Sequence, residues 1–479
     1  MAQRNGLHIV MFPWLAFGHM IPFLDLSKGL AKRGHQISFI STPRNIDRLP
    51  KLPPNLSPLI NFVKLTLPQV TNLPEGAEAT SDVPFNKTQY LKKAFDGLEG
   101  SFGCFLENSS APPDLIIHDF SHHWLQPLAA KHGIPCAFFS IFNASVLAFF
   151  GSPWLRMAGE DTRIDPEHFT VPPNWISSPS NLAYRLYEIL KISESFSSEN
   201  DSGVSDMQRY NSVVHGSNFV ILRSCEEFEG DSLRLLQEKL YRIPVIPIGL
   251  LPPSEEEDTS ESKIDLEWAE IKKWLDKQRE GSVVYIAFGS EAQVSREELH
   301  EVALGLELSG LPFFWTLRRP TAAAGSSEEV ETLTMLPSGF ESRNQGGQGF
   351  ICLGWAPQRR ILGHPSVGVF LSHCGWSSVI EALAIGCPLV LLPLSIDQPL
   401  VARLLVSKNI GVEIPRDERD GSFTRDSVAK SLRLVIVDDT EGKLHKTKAR
   451  KMREVFGDKA GHDRYMDDFD QYLRINHGC

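Results

Sequence analysis

One short segment gathers hydroxyls, a histidine and a glycine between a strand and a helix. A strand candidate ends at Leu371, the sequence SHCGWSS follows, and a helical pattern then runs to a stop at Gly386. The unpaired N–H groups and positive dipole end of a helix N-terminus favour anions. The pattern has two interpretations: Ser377 is an N-cap without any ligand, or the helix binds phosphate. His373 and Gly375 favour phosphate.

Other ligand chemistries do not fit the pattern. Neither GxGxxG after a strand nor GxxxxGK[ST] occurs, so a dinucleotide fingerprint and a Walker A loop are excluded. His118, His122 and His123 flank Asp119, but in a strand positions 118 and 122 share one face and 123 lies on the other. Because no Cys or Glu completes a ligand set, we expect no metal site there.

The first forty residues predict a βαβ unit. His8–Phe12 is a compact apolar strand, Gly18 and His19 lie in a loop, and Pro22 opens a helix at a position that tolerates proline. Gln36–Ser41 is the next strand. Residues 114–119 form a further short apolar strand, which is typical of a buried parallel sheet.

The second half of the chain shows the same alternation of apolar strands and helices. Its strand candidates are 282–288, 313–317, 350–353, 367–371 and 388–392. An acidic, Pro-bearing stretch separates the halves, and a loose loop covers 320–331. We therefore expect an α/β protein with two doubly wound Rossmann-like domains facing a cleft. The predicted divisions are domain 1–250, linker 251–262 and domain 263–479, with the last helix packing back on the first domain.

Composition sets the class of protein. The 479 residues are 42% hydrophobic and 22% charged, which is ordinary for a globular protein and excludes a disordered chain, a collagen and a coiled coil. A net charge of −11 argues against nucleic acid or an anionic membrane as the main partner. The seven scattered cysteines form no CxxC pair, which predicts a reducing, cytoplasmic location.

Neither of two apolar segments has the pattern of a targeting signal or a membrane span. The apolar piece near the N-terminus is too short for a signal sequence and lacks a small-residue cleavage site. The 22 residues from Ile134 to Leu155 are uncharged, but Pro135, Asn143 and Pro153 divide them into a strand and a short helix. We expect a soluble protein with no membrane span.

Six short matches then indicate a family. They are WAPQ at 355–358, ILGH at 361–364, SVG at 366–368, HCGW at 373–376, Glu381, and Asp397 with Gln398. They resemble the signature box of plant family-1 UDP-dependent glycosyltransferases, which spans 44 residues here without a gap. The segments FPWLAFGH at 12–19 and STPRN at 41–45 resemble the subgroup that extends sugar chains on glycosylated terpenoids or flavonoids.

The resemblance implies a GT-B fold and a role for each position of a UDP-sugar site. An indole face suits a flat base, a carboxylate suits ribose hydroxyls, and a helix N-terminus suits a diphosphate. The implied contacts are Trp355 and Ala356 with uracil; Gln358 and Glu381 with ribose; Ser290, His373, Gly375, Ser377 and Ser378 with the diphosphate; and Trp376, Asp397 and Gln398 with the sugar.

His19 and Asp119 fall where the family keeps its catalytic pair. An acceptor hydroxyl needs a base to attack the anomeric carbon, and His19 is the candidate, with Asp119 orienting its ring. One direct displacement inverts the anomeric centre, and the resemblance implies that no metal or other cofactor is required. We expect the acceptor pocket to include Trp14, Phe17, His122, Phe142 and Phe149.

Three functions are compared. The first is transfer of glucose from UDP-glucose to a small hydrophobic plant metabolite, on the sugar of an existing glycoside. The second uses UDP-rhamnose or UDP-xylose, and the third is a non-catalytic binder, against which the intact His19 and Asp119 argue. Two departures bear on the donor: the family most often has Asn in place of Ser377, and Ile396 is bulkier than usual. We expect a monomer.

Overall fold

The computed structural model describes residues 6–109, 111–177, 180–252, 262–289, 292, 294–317, 335–344 and 347–477. Ser290 lies outside the described residues, as do most of the predicted linker 251–262 and the whole of the predicted loop 320–331.

The chain divides into two compact units. The first comprises the described residues of Met1–Ile164, Ile192–Leu251 and Lys459–Cys479, and the second those of Asp165–Lys191 and Pro252–Asp458. The predicted division at residue 250 therefore differs from the structure over Asp165–Lys191, which groups with the second unit. Ion pairs join this segment to the rest of the second unit: Arg403 donates to Glu188 at 2.7 Å and Arg185 to Glu413 at 2.6 Å.

The first unit contains a seven-stranded sheet in which every neighbouring pair is parallel, with the order β3-β2-β1-β4-β5-β6-β7. Its inner strands are apolar and buried because helices cover both faces. The strands are His8–Phe12 (β1), Gln36–Ser41 (β2), Ile60–Lys64 (β3), Leu115–His118 (β4), Cys136–Ser140 (β5), Phe219–Leu222 (β6) and Val245–Pro247 (β7).

The helices of this unit pack on the sheet through apolar cores that include Met11, Phe23 and Phe139 on one side. The helices are Phe17–Ala31 (α1), Pro43–Arg48 (α2), Thr88–Asp96 (α3), Glu99–Asn108 (α4), Leu125–Lys131 (α5), Ala144–Phe150 (α6) and Pro153–Met157 (α7). Later in the chain come Leu186–Ser197 (α8), which crosses the division between the units, Asp206–Gly216 (α9) and Glu226–Leu235 (α10).

The second unit contains a six-stranded sheet, also parallel throughout, with the order β10-β9-β8-β11-β12-β13. Its strands are Val283–Ala287 (β8), Phe313–Leu317 (β9), Gly349–Leu353 (β10), Val367–Ser372 (β11), Leu389–Leu391 (β12) and Gly411–Glu413 (β13). Its helices are Ser262–Leu275 (α11), Arg296–Ser309 (α12), Phe340–Asn344 (α13), Gln358–Leu362 (α14), Trp376–Ile385 (α15), Gln398–Ser407 (α16), Arg425–Val437 (α17) and Glu441–Phe456 (α18).

The last helix, Lys459–His477 (α19), belongs to the first unit. His35 lies 2.6 Å from Asp470, Arg474 donates to the carbonyl of Arg33 at 2.8 Å, and Phe469 is buried in the core. Across the described part of the chain, no helix combines the length and the apolar character that a membrane span needs.

Candidate active site

His19 lies in the first turn of α1, at the carboxyl end of β1. The helix begins at Phe17, so the prediction that His19 precedes the helix and Pro22 opens it is wrong: Pro22 lies inside α1. The sequence pattern indicates a start at Pro22 because proline is over-represented at the first position of helices. The result is that His19 sits in the first turn, near the positive end of the helix dipole.

His19 and Asp119 are in contact. Nδ1 of His19 lies 2.7 Å from Oδ2 of Asp119, and the two side chains are 13% and 2% exposed. Asp119 follows β4, which pairs with β1, so the carboxyl ends of two neighbouring parallel strands bring the residues together.

The Asp119 carboxylate is held by backbone donors as well. Trp14 N–H donates to Oδ2 at 3.0 Å and Phe120 N–H donates to Oδ1 at 2.7 Å. These donors replace the hydrogen bonds to water that a buried carboxylate loses. With Nδ1–H of His19 donating to this carboxylate, the unprotonated nitrogen of the neutral ring is Nε2, which is the arrangement that a general base needs.

Two other histidines near Asp119, His118 and His122, are buried and neutral. Burial lowers the pKa of His118 to about 4 and that of His122 well below its usual range. His122 contacts the backbone carbonyl of Asp119 at 3.1 Å and packs among aromatic rings, including Phe12 at 4.5 Å. No group of three or more His, Cys, Asp or Glu residues suited to a metal ion occurs within the described ranges.

The five residues predicted for the acceptor pocket differ in exposure. Trp14, His122 and Phe149 are buried, and Trp14 packs edge-on against Phe95 with ring centroids 5.2 Å apart. Phe17 and Phe142 are partly exposed. The guanidinium of Arg48 lies 4.6 Å from the Phe17 ring centroid. Contact of any of the five with an acceptor stays a prediction.

Trp355 is the first residue of the predicted donor site, just beyond β10. Its side chain is 64% exposed, which is unusual for the largest apolar residue type. An exposed indole that contributes little to the core is available to stack on a planar base. Ala356, the next residue, is buried.

Gln358 and Glu381 meet across two helices. Gln358 opens α14, and its Nε2 donates to Oε2 of Glu381, in the middle of α15, at 2.8 Å. The hydroxyl of Tyr285 donates to Oε1 of Gln358 at 3.3 Å. Sequence reasoning missed Tyr285, although it is the one hydroxyl within the apolar strand VVYIA.

His373 lies between two glycines at the carboxyl ends of β8 and β11. A Cβ atom at Gly289 would be 2.8 Å from the His373 ring, and one at Gly375 would be 2.5 Å from its Nε2. Both positions therefore have to be glycine while the ring occupies this place. Burial lowers the pKa of His373 to about 4, so the ring is neutral at pH 7 and keeps one N–H donor.

The helix that follows His373 does not begin where one interpretation of the sequence places its N-cap. Gly375 is the N-cap of α15 and has no side chain to cap it, so the interpretation of Ser377 as N-cap is wrong. Ser377 and Ser378 lie in the first turn and are partly exposed. The first-turn N–H groups and these hydroxyls occur together where the dipole favours an anion.

The residues predicted for the sugar lie in two environments. Trp376 is buried and packs edge-on against Phe456 at 6.0 Å. Asp397 is the N-cap of α16, beyond β12. Oε1 of Gln398 accepts from the N–H groups of Leu394 and Ser395 at 2.9 and 3.1 Å, so its side chain shapes the turn before the helix.

The chain is similar to known glycosyltransferases over nearly its whole length. Residues 260–460 match the profile of a family described as UDP-glucoronosyl and UDP-glucosyl transferase. The chain is 48% identical to UDP-glycosyltransferase 91A1 of Arabidopsis thaliana over 473 residues, 98% of this chain and 97% of that one. A crystal structure of TcCGT1 in complex with UDP matches with a TM-score of 0.79 and 25% identity, covering 98% and 100% of the two chains.

Two further relatives carry the names of specific reactions. The chain is 42% identical to soyasaponin III rhamnosyltransferase of Glycine max, covering 98% of this chain and 95% of the relative. It is 34% identical to anthocyanidin 3-O-glucoside 2''-O-glucosyltransferase of Ipomoea nil, with 99% of each covered.

Two doubly wound parallel sheets with these likenesses define a GT-B glycosyltransferase fold. The chain belongs to the plant family-1 UDP-dependent glycosyltransferases and resembles the subgroups that extend sugar chains. It is therefore an enzyme of the transferase class.

Proposed function

We propose that this enzyme transfers glucose from UDP-glucose, with inversion, to a hydroxyl on the sugar of an existing terpenoid or flavonoid glycoside. The observation that carries the proposal is the 2.7 Å contact between Nδ1 of His19 and Oδ2 of Asp119. It supports a general base held in one tautomer by a carboxylate that is itself fixed by backbone donors.

The proposed reaction is one displacement. Nε2 of His19 takes the proton of the acceptor hydroxyl as its oxygen attacks the anomeric carbon. The bond between that carbon and the β-phosphate oxygen breaks, and UDP leaves with the electron pair. Asp119 stabilises the imidazolium that forms, and attack from the face opposite the leaving group converts the α-linked donor into a β-glucoside.

The proposed donor site lies at the carboxyl edge of the second sheet. Trp355 stacks on uracil, and Gln358 and Glu381 bind the ribose. The neutral His373 and the first turn of α15 bind the diphosphate, while Asp397 and Gln398 bind the sugar. Hydrogen-bond donors at the diphosphate also stabilise the charge that grows on UDP as it leaves.

The proposal includes no metal or other cofactor, because the helix terminus and His373 supply the donors that the leaving diphosphate needs. Addition of a chelator to the assay is therefore expected to leave the rate unchanged. A rate that falls with chelator and returns on adding Mg²⁺ or Mn²⁺ would contradict this part of the proposal. We also propose that the enzyme acts in the cytoplasm as a monomer, which cell fractionation and sedimentation would test.

Glycosylated acceptors are supported by the names of the relatives. The Ipomoea nil relative is named for an anthocyanidin 3-O-glucoside acceptor.

The Glycine max relative, which is more similar to this chain, is named a rhamnosyltransferase. That higher identity favours a second candidate, the same chemistry with UDP-rhamnose as donor.

The experiment is product analysis by mass spectrometry with purified enzyme. UDP-glucose and UDP-rhamnose are supplied separately, each with terpenoid and flavonoid aglycones and with their monoglycosides. The proposal predicts one added hexose on monoglycosides and none on aglycones. Addition only from UDP-rhamnose would replace the glucose donor by the second candidate, and products from aglycones alone would contradict the acceptor class.

A further inference from the structure

A strained turn precedes the two residues proposed to bind the sugar. Ile396 has φ +57°, in the left-handed region that β-branched residues rarely adopt. Asp397 and Gln398 follow directly, so the direction of both side chains depends on this one backbone conformation. Strain of this kind persists only where the surroundings hold it in place.

Inside the turn, Gln398 supplies part of that support. Its Oε1 accepts from the N–H groups of Leu394 and Ser395. The amide oxygen is therefore committed to the turn, which directs the Nε2 donor away from it. The Ile396 side chain is 43% exposed, so its own packing contributes little.

A second interaction that stabilises the turn comes from Tyr184, which lies more than two hundred positions earlier in the sequence. The hydroxyl of Tyr184 donates to the carbonyl oxygen of Ile396 at 2.8 Å. Tyr184 is 2% exposed, and it lies in the segment Asp165–Lys191, which belongs to the second unit. Its hydroxyl therefore fixes the peptide group between Ile396 and Asp397, and so stabilises the left-handed conformation of Ile396.

The segment that carries Tyr184 is itself tied to the helix that Gln398 opens. Arg403, on α16, donates to both oxygens of Glu188 at 2.7 and 2.8 Å and to both oxygens of Glu413 at 2.9 Å. Arg185 also donates to Glu413 at 2.6 Å. These charges are shielded from solvent, because the Arg403 and Glu188 side chains are 11% and 6% exposed.

We propose that Tyr184 is a positioning residue for the donor sugar: through the Ile396 carbonyl it holds the turn that directs Asp397 and Gln398. This inference rests on the proposed sugar-binding role of those two residues. It predicts that losing the Tyr184 hydroxyl weakens binding of the sugar part of the donor and leaves binding of UDP unchanged, because UDP lacks the sugar.

The test compares Tyr184→Phe with the matched control Tyr210→Phe. Tyr210 is also buried and its hydroxyl also donates to a backbone carbonyl, that of Gly151, but Tyr210 and Gly151 belong to the first unit. Calorimetric titration with UDP and with the UDP-sugar that the wild type turns over gives two affinities per variant. For Tyr184→Phe we expect the UDP-sugar to bind about three- to tenfold more weakly, as for the loss of one hydrogen bond, with the UDP affinity unchanged. Tyr210→Phe should change neither.

A double variant separates positioning from general damage. Glycine adopts positive φ without strain, so Ile396→Gly should hold the turn without help. Tyr184→Phe with Ile396→Gly is therefore expected to regain most of the lost UDP-sugar affinity. Equal weakening of UDP and UDP-sugar in Tyr184→Phe, no weakening of either, or no recovery in the double variant would overturn the inference. Failure of the proposed function is distinct, because it would appear in the wild type as absence of product.

Discussion

The ring of His373 occupies the space that a side chain at Gly375 would need. A Cβ atom at Gly375 would lie 2.5 Å from Nε2 of His373, closer than such contacts occur in proteins. Gly375 has φ −59°, which any residue can adopt, so the requirement for glycine here comes from the ring and not from the backbone. The relationship links the start of α15 directly to the proposed diphosphate site.

Gly375→Ala is accordingly expected to displace His373. Overpacking of this kind costs about 1–3 kcal/mol, and UDP affinity should fall as well because the ring moves away from the diphosphate. Differential scanning fluorimetry and UDP titration measure the two effects. Gly347→Ala is the matched control, since its Cβ would meet no heavy atom within 4 Å. Equal effects of both substitutions would contradict the account of this site.

Trp355→Ala should weaken UDP binding without unfolding the protein. Loss of stacking on a base costs about 1–3 kcal/mol, or about 5- to 150-fold in affinity. Because the side chain is 64% exposed, the free energy of unfolding should change by less than about 0.5 kcal/mol. Titration of wild type, Trp355→Phe and Trp355→Ala with UDP should give intermediate affinity for the phenylalanine variant. Unchanged affinity in Trp355→Ala would remove Trp355 from the donor site.

Buried neutral histidines predict lower stability in mild acid. Burial lowers the pKa of His118 and of His373 to about 4, below the value of about 6.5 expected in the unfolded chain. Between these pH values the unfolded state binds more protons than the folded state. The stability that each neutral ring contributes is therefore fully present above about pH 6.5 and is lost as the pH falls toward 4. Each residue should cost about 1–2 kcal/mol between pH 7 and pH 5.

Chemical denaturation of the whole protein at a series of pH values measures this dependence. His118→Gln should make it shallower, because one of the buried titrating groups is gone. A free energy of unfolding that does not change between pH 7 and pH 5 would show that these histidines are not held neutral by burial.

Much of the site followed from the sequence because parallel strands end at a common edge. The apolar strands β1 and β4 each carry their own signal, and their pairing brings His19 within reach of Asp119 across 100 residues of chain. The donor segment from Trp355 to Gln398 stays a prediction from the family resemblance, and the structure places its residues beyond the carboxyl ends of β10, β11 and β12.

The parts that were missed depend on contacts between distant segments or on helix starts. Pro22 resembles a first helical residue, yet α1 begins at Phe17, since one internal proline costs less than the packing that the longer helix gains. Nothing near Tyr184 in sequence indicates that its hydroxyl meets Ile396, because the two residues lie more than two hundred positions apart in the chain. Short-range sequence patterns carry no information on contacts between residues so far apart.

The most direct test of the account is the rate of one turnover by His19→Ala at saturating UDP-sugar and acceptor. Loss of the base should lower this rate about 10²- to 10⁴-fold, while UDP binds as tightly as to the wild type, because His19 is proposed to act only on the acceptor. Asp119→Asn, which removes the charge that stabilises the imidazolium, should lower the rate in the same direction. A wild-type turnover rate in His19→Ala, with correct folding shown by unchanged UDP affinity, would contradict the assignment of His19 as the general base.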